Sequence, residues 1–213
     1  VNYTKAIEVA PDYVIAWTNR GLSHALLSRF EEAIADFDRA IELAPGSYKA
    51  HYFRGYTHHV AKMYEQAVAD YTLALETASN ATVEAKALIY YRRGLARRHI
   101  TDHETVLADY THALEINPGL ADAWFSRALI YQQDRDYEKA IADYSRAIEL
   151  QPDHARAHYN RGLLYDKTDA DHRAIKDYNK AIELEPSYVR AKANLAIARL
   201  VPFLPLFLVA LLG

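Results

Sequence analysis

The 213 residues include no cysteine, so the chain can carry neither a disulfide frame nor thiolate chemistry. Acidic and basic residues nearly balance, and a formal charge of −3 gives no global pull toward nucleic acid or an anionic membrane. No phosphate-cradling glycine loop, dinucleotide fingerprint or HExxH is present, and no Ser/His/Asp set is suggested. The sequence therefore gives no catalytic residue and no cofactor. Histidine is plentiful at ten, and His99/His103 and His154/His158 have the i,i+4 spacing a metal can use. However, most histidines fall at positions that are aromatic elsewhere in the chain, so packing accounts for them and no metal is expected. Glycine and proline number seven each, and most fall at recurring places.

Those recurring places organise the chain. Gly21, Gly55, Gly94, Ala128 and Gly162 follow one another at steps of 34, 39, 34 and 34 residues, and Pro11, Pro45, Pro118, Pro152 and Pro186 keep the same phase. In 121–152, Trp124, Ala128 and Tyr131 are spaced as on one helix face, as are Tyr137, Ala140, Tyr144 and Ala147. The polar turn Gln132–Asp136 separates the two runs. This reads as two short antiparallel helices with small residues where they cross. Trp17, His51, Tyr90, Trp124 and His158 share one slot on the first helix, and Phe37, Tyr71, Tyr110, Tyr144 and Tyr178 one slot on the second. Ala33, Ala67, Ala140 and Ala174 mark the helix crossing, with Val106 bulkier; Ala40, Ala74, Ala113, Ala147 and Ala181 mark the contact with the next pair.

A charged series runs in phase with the core. Arg20, Arg54, Arg93, Arg127 and Arg161 precede the glycine slot, and Asp36, Asp70, Asp109, Asp143 and Asp177 precede the second-helix aromatic. A planar guanidinium suits bidentate pairing, so a partly buried Arg–Asp pair joining the two helices is expected.

The period and these residues resemble the tetratricopeptide repeat family. The resemblance covers about 1–199 and implies an all-α, right-handed superhelical solenoid of antiparallel helix pairs. Repeats are expected at 14–47, 48–81, 87–120, 121–154 and 155–188, with a half-repeat at 1–13, a capping helix at 188–199 and an apolar tail at 200–213. Val1–Pro11 matches the second half of a repeat, which fits a chain cut upstream. Five extra residues near 82–86 are expected to lengthen the third repeat's first helix, with Thr82 or Asn80 as its N-cap.

The resemblance also implies the function class: a non-catalytic scaffold whose first helices line a groove for a partner protein or peptide. Carried onto this chain, the groove places are Tyr52, Tyr56, Tyr91, Leu95, Phe125, Leu129, Tyr159 and Leu163. Lys49, Arg98, Asp122, Arg156, Asp166 and Arg190 form the rim. The heat-shock carboxylate clamp is not expected, because the fifth and ninth places are apolar or threonine in every repeat. Alternatives are a self-assembly module, or the regulatory part of a larger enzyme lying outside this chain. Arg92, Arg97 and Arg98 form the one dense basic cluster, and a solvated or internally paired face is expected there ahead of an anion or nucleic-acid site. The uncharged tail carries prolines at Pro202 and Pro205 and is too short to span a bilayer as a helix. Contact of Phe203, Leu204, Leu206 and Phe207 with the last repeats is expected, with a truncated membrane anchor second. A membrane role is open only through this tail.

Overall fold

The computed structural model describes residues 2–168 and 170–200. Their α-helices are α1 (Tyr3–Val9), α2 (Val14–Leu26), α3 (Phe30–Leu43), α4 (Tyr48–Val60), α5 (Tyr64–Glu76), α6 (Val83–Arg97) and α7 (His103–Ile116), then α8 (Ala121–Gln133), α9 (Tyr137–Leu150), α10 (Ala155–Lys167), α11 (Asp171–Leu184) and α12 (Val189–Leu200). Consecutive helices pair as hairpins, α2 with α3 through α10 with α11. The chain divides after Pro118 into two compact units. The expectations for Pro202–Gly213 fall outside the described residues. No described helix is long and apolar enough to cross a membrane.

Local chemistry sets where each helix starts and stops. The side chains of Ser47, Thr82, Asp102 and Asp136 accept the backbone N–H three residues on, satisfying donors that a helix start leaves unpaired. Thr82 rather than Asn80 is thus the cap of α6. The extra residues divide between a 3-10 turn at Ala78–Asn80 and a longer helix of 15 residues. At the hairpin turns Ser28, Lys62 and Arg135 adopt left-handed φ near 60°. There the following N–H reaches back to the helix carbonyl, as Met63 does to His58 at 2.8 Å. At the other end of the α2–α3, α4–α5 and α10–α11 pairs, a proline carbonyl becomes an acceptor. Trp17 Nε1 donates to the Pro11 carbonyl at 2.8 Å, and His51 and His158 place Nε2 3.2 and 3.1 Å from those of Pro45 and Pro152. An imidazole replaces an indole at this slot because both present a ring N–H to that oxygen.

Between the paired helices lie fully buried rings: Phe37, Tyr71, Tyr110, Tyr144 and Tyr178. The first helix must approach them closely. A Cβ added at Gly94 would lie 2.6 Å from Tyr110 Cε1, inside van der Waals contact. Gly94→Ala should therefore cost about 1–3 kcal/mol through overpacking. Lys62→Gly, which relieves a left-handed residue, should add about 0.5–1 kcal/mol. Urea unfolding followed by helical circular dichroism checks both signs.

Candidate functional site

The first-helix faces are held in place by the charged series. Each arginine grips the aspartate sixteen residues on, across its own hairpin: Arg20–Asp36 at 2.6 Å, Arg54–Asp70 at 2.6 Å, Arg93–Asp109 at 2.7 Å, Arg127–Asp143 at 2.7 Å and Arg161–Asp177 at 2.8 Å. The aspartates are almost wholly buried. Arg54, Arg93 and Arg161 also use a remaining N–H to reach back one hairpin, to Asp38 at 2.6 Å, Thr72 at 3.2 Å and Ser145 at 2.9 Å. One side chain thus ties three helices. Of the basic cluster, Arg97 is accounted for in the same way, bonding Asp109 at 2.9 Å.

In the N-terminal unit α2, α4 and α6 stand side by side. Between them lies a largely apolar pocket of about 430 Å³, with Ile15 and Thr18 on α2, Tyr52 and Phe53 on α4, and Ala85 and Leu88 on α6 among its walls. Ile15 is 57% exposed at this surface. Lys49 belongs to the lining and is exposed. Tyr52, Tyr56, Tyr91 and Leu95 are half-buried. Tyr52 packs on Phe53 and Tyr71 at ring separations of 5.3 and 5.9 Å, and Tyr91 on Tyr110 at 5.9 Å. The Arg92 guanidinium lies over the Tyr56 ring at 5.5 Å. Arg98 is exposed. Val14, Ile15, Ala85 and Leu88 were not among the expected groove residues. The only sequence signal for the last two is the length added before α6.

The C-terminal unit treats the same places differently. Phe125 and Tyr159 are 7% and 8% exposed, so neither ring is open to a ligand. His154 packs on Phe125 at 4.5 Å and the exposed Arg156 lies over it at 5.2 Å, while Tyr188 packs on Tyr159 at 4.7 Å. Leu129 and Leu163 are half-buried against the two cores. Of the expected rim residues Asp122 and Arg190 are exposed, while Asp166 accepts the Tyr178 hydroxyl at 2.6 Å. No group of metal-ligating side chains occurs among the described residues.

Stacked helix hairpins with side-by-side first helices define an all-α repeat scaffold. The tetratricopeptide repeat profile matches residues 14–47, 121–154 and 155–188, and these are repeats of that family. It is similar to YrrB, described as a TPR protein with an unusual peptide-binding site: TM-score 0.73, 24% identity, 91% of this chain and 97% of that one. It is similar also to MamA from Desulfovibrio magneticus RS-1, with TM-score 0.71, 21% identity and coverage of 83% and 97%. For pilF of Pseudomonas aeruginosa the values are 0.79, 15%, 91% and 86%. At these identities the likeness is one of fold. A comparison with curated proteins finds no match. Proteins of this family are generally non-catalytic protein-interaction modules.

The electrostatics of the forks differ along the chain. Burial is the largest influence on Asp177 and Asp70 and acts to raise them. Hydrogen bonds and charge from Arg161 and His158, and from His58 and Arg54, outweigh it and leave both below the usual carboxylate range. Asp143 is raised, because burial there prevails over Arg127. A depressed carboxylate stabilises the fold above its unfolded pKa, and that contribution is lost as pH falls through the folded value. Stability supplied by Asp70 and Asp177 should thus disappear below about pH 4. Asp143 works in the opposite sense. Asp177→Asn should flatten the acid limb of stability against pH, and Asp143→Asn should not. Urea midpoints across about pH 6 to 3 check this.

Proposed function

We propose that the chain is a non-catalytic scaffold that takes an extended segment of a partner protein on the first-helix face of its N-terminal unit. The observation that carries this reading is the apolar pocket between α2, α4 and α6, walled by Tyr52, Ile15 and Leu88. A surface of this kind loses free energy when a partner's apolar side chain covers it, and aromatic anchors contribute most to such contacts. The forks of Arg54 and Arg93 hold α4 and α6 against their neighbours, so the pocket is preorganised. The groove places of the C-terminal unit contribute less in this reading, because His154, Arg156 and Tyr188 already cover their aromatic rings.

Peptides selected from a random displayed library on the full chain test the reading. Ile15→Glu places a charge at an exposed pocket position and should leave thermal unfolding nearly unchanged while weakening the selected peptides about tenfold or more. Tyr52→Ala should weaken them by at least about 1 kcal/mol. Equal affinity of the Ile15→Glu protein would show that the peptides bind elsewhere. Phe125→Ala is unsuited as a probe, since that ring belongs to the core.

A further inference from the structure

At the hairpin junctions a buried tyrosine hydroxyl needs a polar partner. In the C-terminal unit it has one. Tyr178 donates to the Asp166 carboxylate at 2.6 Å. Tyr144 donates to Gln132 Oε1 at 2.7 Å and accepts from Asn160 Nδ2 at 3.3 Å. In the N-terminal unit Tyr71 holds the same place. Twelve residues before it stands His59, where the other tyrosines have Gln132 and Asp166. Directly before the fork arginine stands Arg92, where the later repeat has Asn160. Tyr71 is wholly buried, yet its hydroxyl has no partner, and neither do the buried Nε of Arg92 and Nδ1 of His59.

The charge at this junction is equally one-sided. Arg20, Arg54, Arg93 and Arg97 each hold an aspartate, whereas Arg92 has no carboxylate partner among the described residues and rests on the Tyr56 ring. Burial first, and then the charges of nearby Arg92 and Arg98, hold the His59 imidazole below its usual range. The nearest acid in sequence, Asp70, is already occupied by Arg54 and His58. The Tyr71 hydroxyl and Arg92 Nε are donors, and a buried donor without an acceptor costs free energy unless a ligand supplies one. Tyr52 connects this junction to the apolar pocket, since it lines that pocket and also feels the Arg92 charge.

We propose that the junction of Tyr71, His59 and Arg92 binds a carboxylate of the partner, an aspartate or glutamate side chain of the same segment whose apolar residues fill the α2–α4–α6 pocket. The inference rests on the groove reading above and adds the partner's chemistry. A carboxylate is favoured over a phosphate because Asp166 already serves the equivalent hydroxyl of Tyr178 within this chain.

The test uses the full chain and a random seven-residue displayed peptide library. Recovered peptides should pair an acidic residue with apolar neighbours, and replacing the acid by its amide should weaken binding about tenfold, the effect of losing a charge-assisted hydrogen bond. The double variant His59→Gln/Arg92→Asn rebuilds the Gln132/Asn160 arrangement. It should unfold at the same or a higher temperature, bind the amide peptides as before, and no longer distinguish acid from amide. Three results would overturn the carboxylate assignment while leaving the groove standing. These are wild-type binding indifferent to the acid, discrimination that survives in the double variant, and a phosphoserine version binding more than about tenfold tighter than the acid. A large loss of stability in the double variant would show the junction to be structural and overturn it as well. Recovery of no peptide at all would bring down the groove reading and this inference together.

Discussion

The structure depends first on the buried arginine–aspartate fork. A hairpin of two short helices, such as the 13-residue α4 and α5, cannot bury enough surface to stand alone, and successive hairpins must be fixed to one another as well as within themselves. The guanidinium satisfies both needs. Two of its N–H groups grip the aspartate across the hairpin, and in Arg54, Arg93 and Arg161 a third reaches the previous second helix. The aspartate, once buried, has no water to turn to, so removing the arginine strips it of its main counter-charge. Apolar packing supplies the driving force, and the fork fixes the angle at which it is applied.

On that fixed frame the first-helix faces differ through the side chains that cover them. The same slot holds a half-buried Tyr52 in one unit and a buried Phe125 or Tyr159 in the other. The backbone arrangement is repeated; the covering side chains are not. His154, Arg156 and Tyr188 close the surface over the C-terminal rings, while the lengthened α6 brings Ala85 and Leu88 to the wall of an open pocket. Variation of a few residues around a constant frame thus separates a packed face from one that keeps an open pocket.

The frame was legible in the sequence because it is periodic. Five arginines and five aspartates in phase with the aromatic slots implied a pair within each hairpin, and the coordinates place all five. The histidines at the tryptophan slot read as packing residues, and His51 and His158 make the proline-carbonyl contact that Trp17 makes. The face was less legible, since periodicity tells which residues point one way and says nothing of what lies over them. His154 and Tyr188 hold the same place one period apart, but that place is Ser47 and Leu120 in other repeats, so no recurring residue type signalled the burial of Phe125 and Tyr159. Asp166 looked like a rim charge because the Tyr178 hydroxyl that captures it is distant in sequence. The pocket depends on residues beside the unequal step in the repeat, where alignment by period carries least information.

A double-mutant cycle on Arg161 and Asp177 tests the fork most directly. Unfolding free energies would be measured in urea for Arg161→Ala, Asp177→Ala and the pair. If the fork fixes the hairpin, Arg161→Ala should cost about 3–5 kcal/mol. The double variant should be more stable than the sum of the two losses implies, by about 1–3 kcal/mol of coupling. Losses that add to within about 0.5 kcal/mol would mean that the two side chains act independently, and the fork would then not be what holds the helices together.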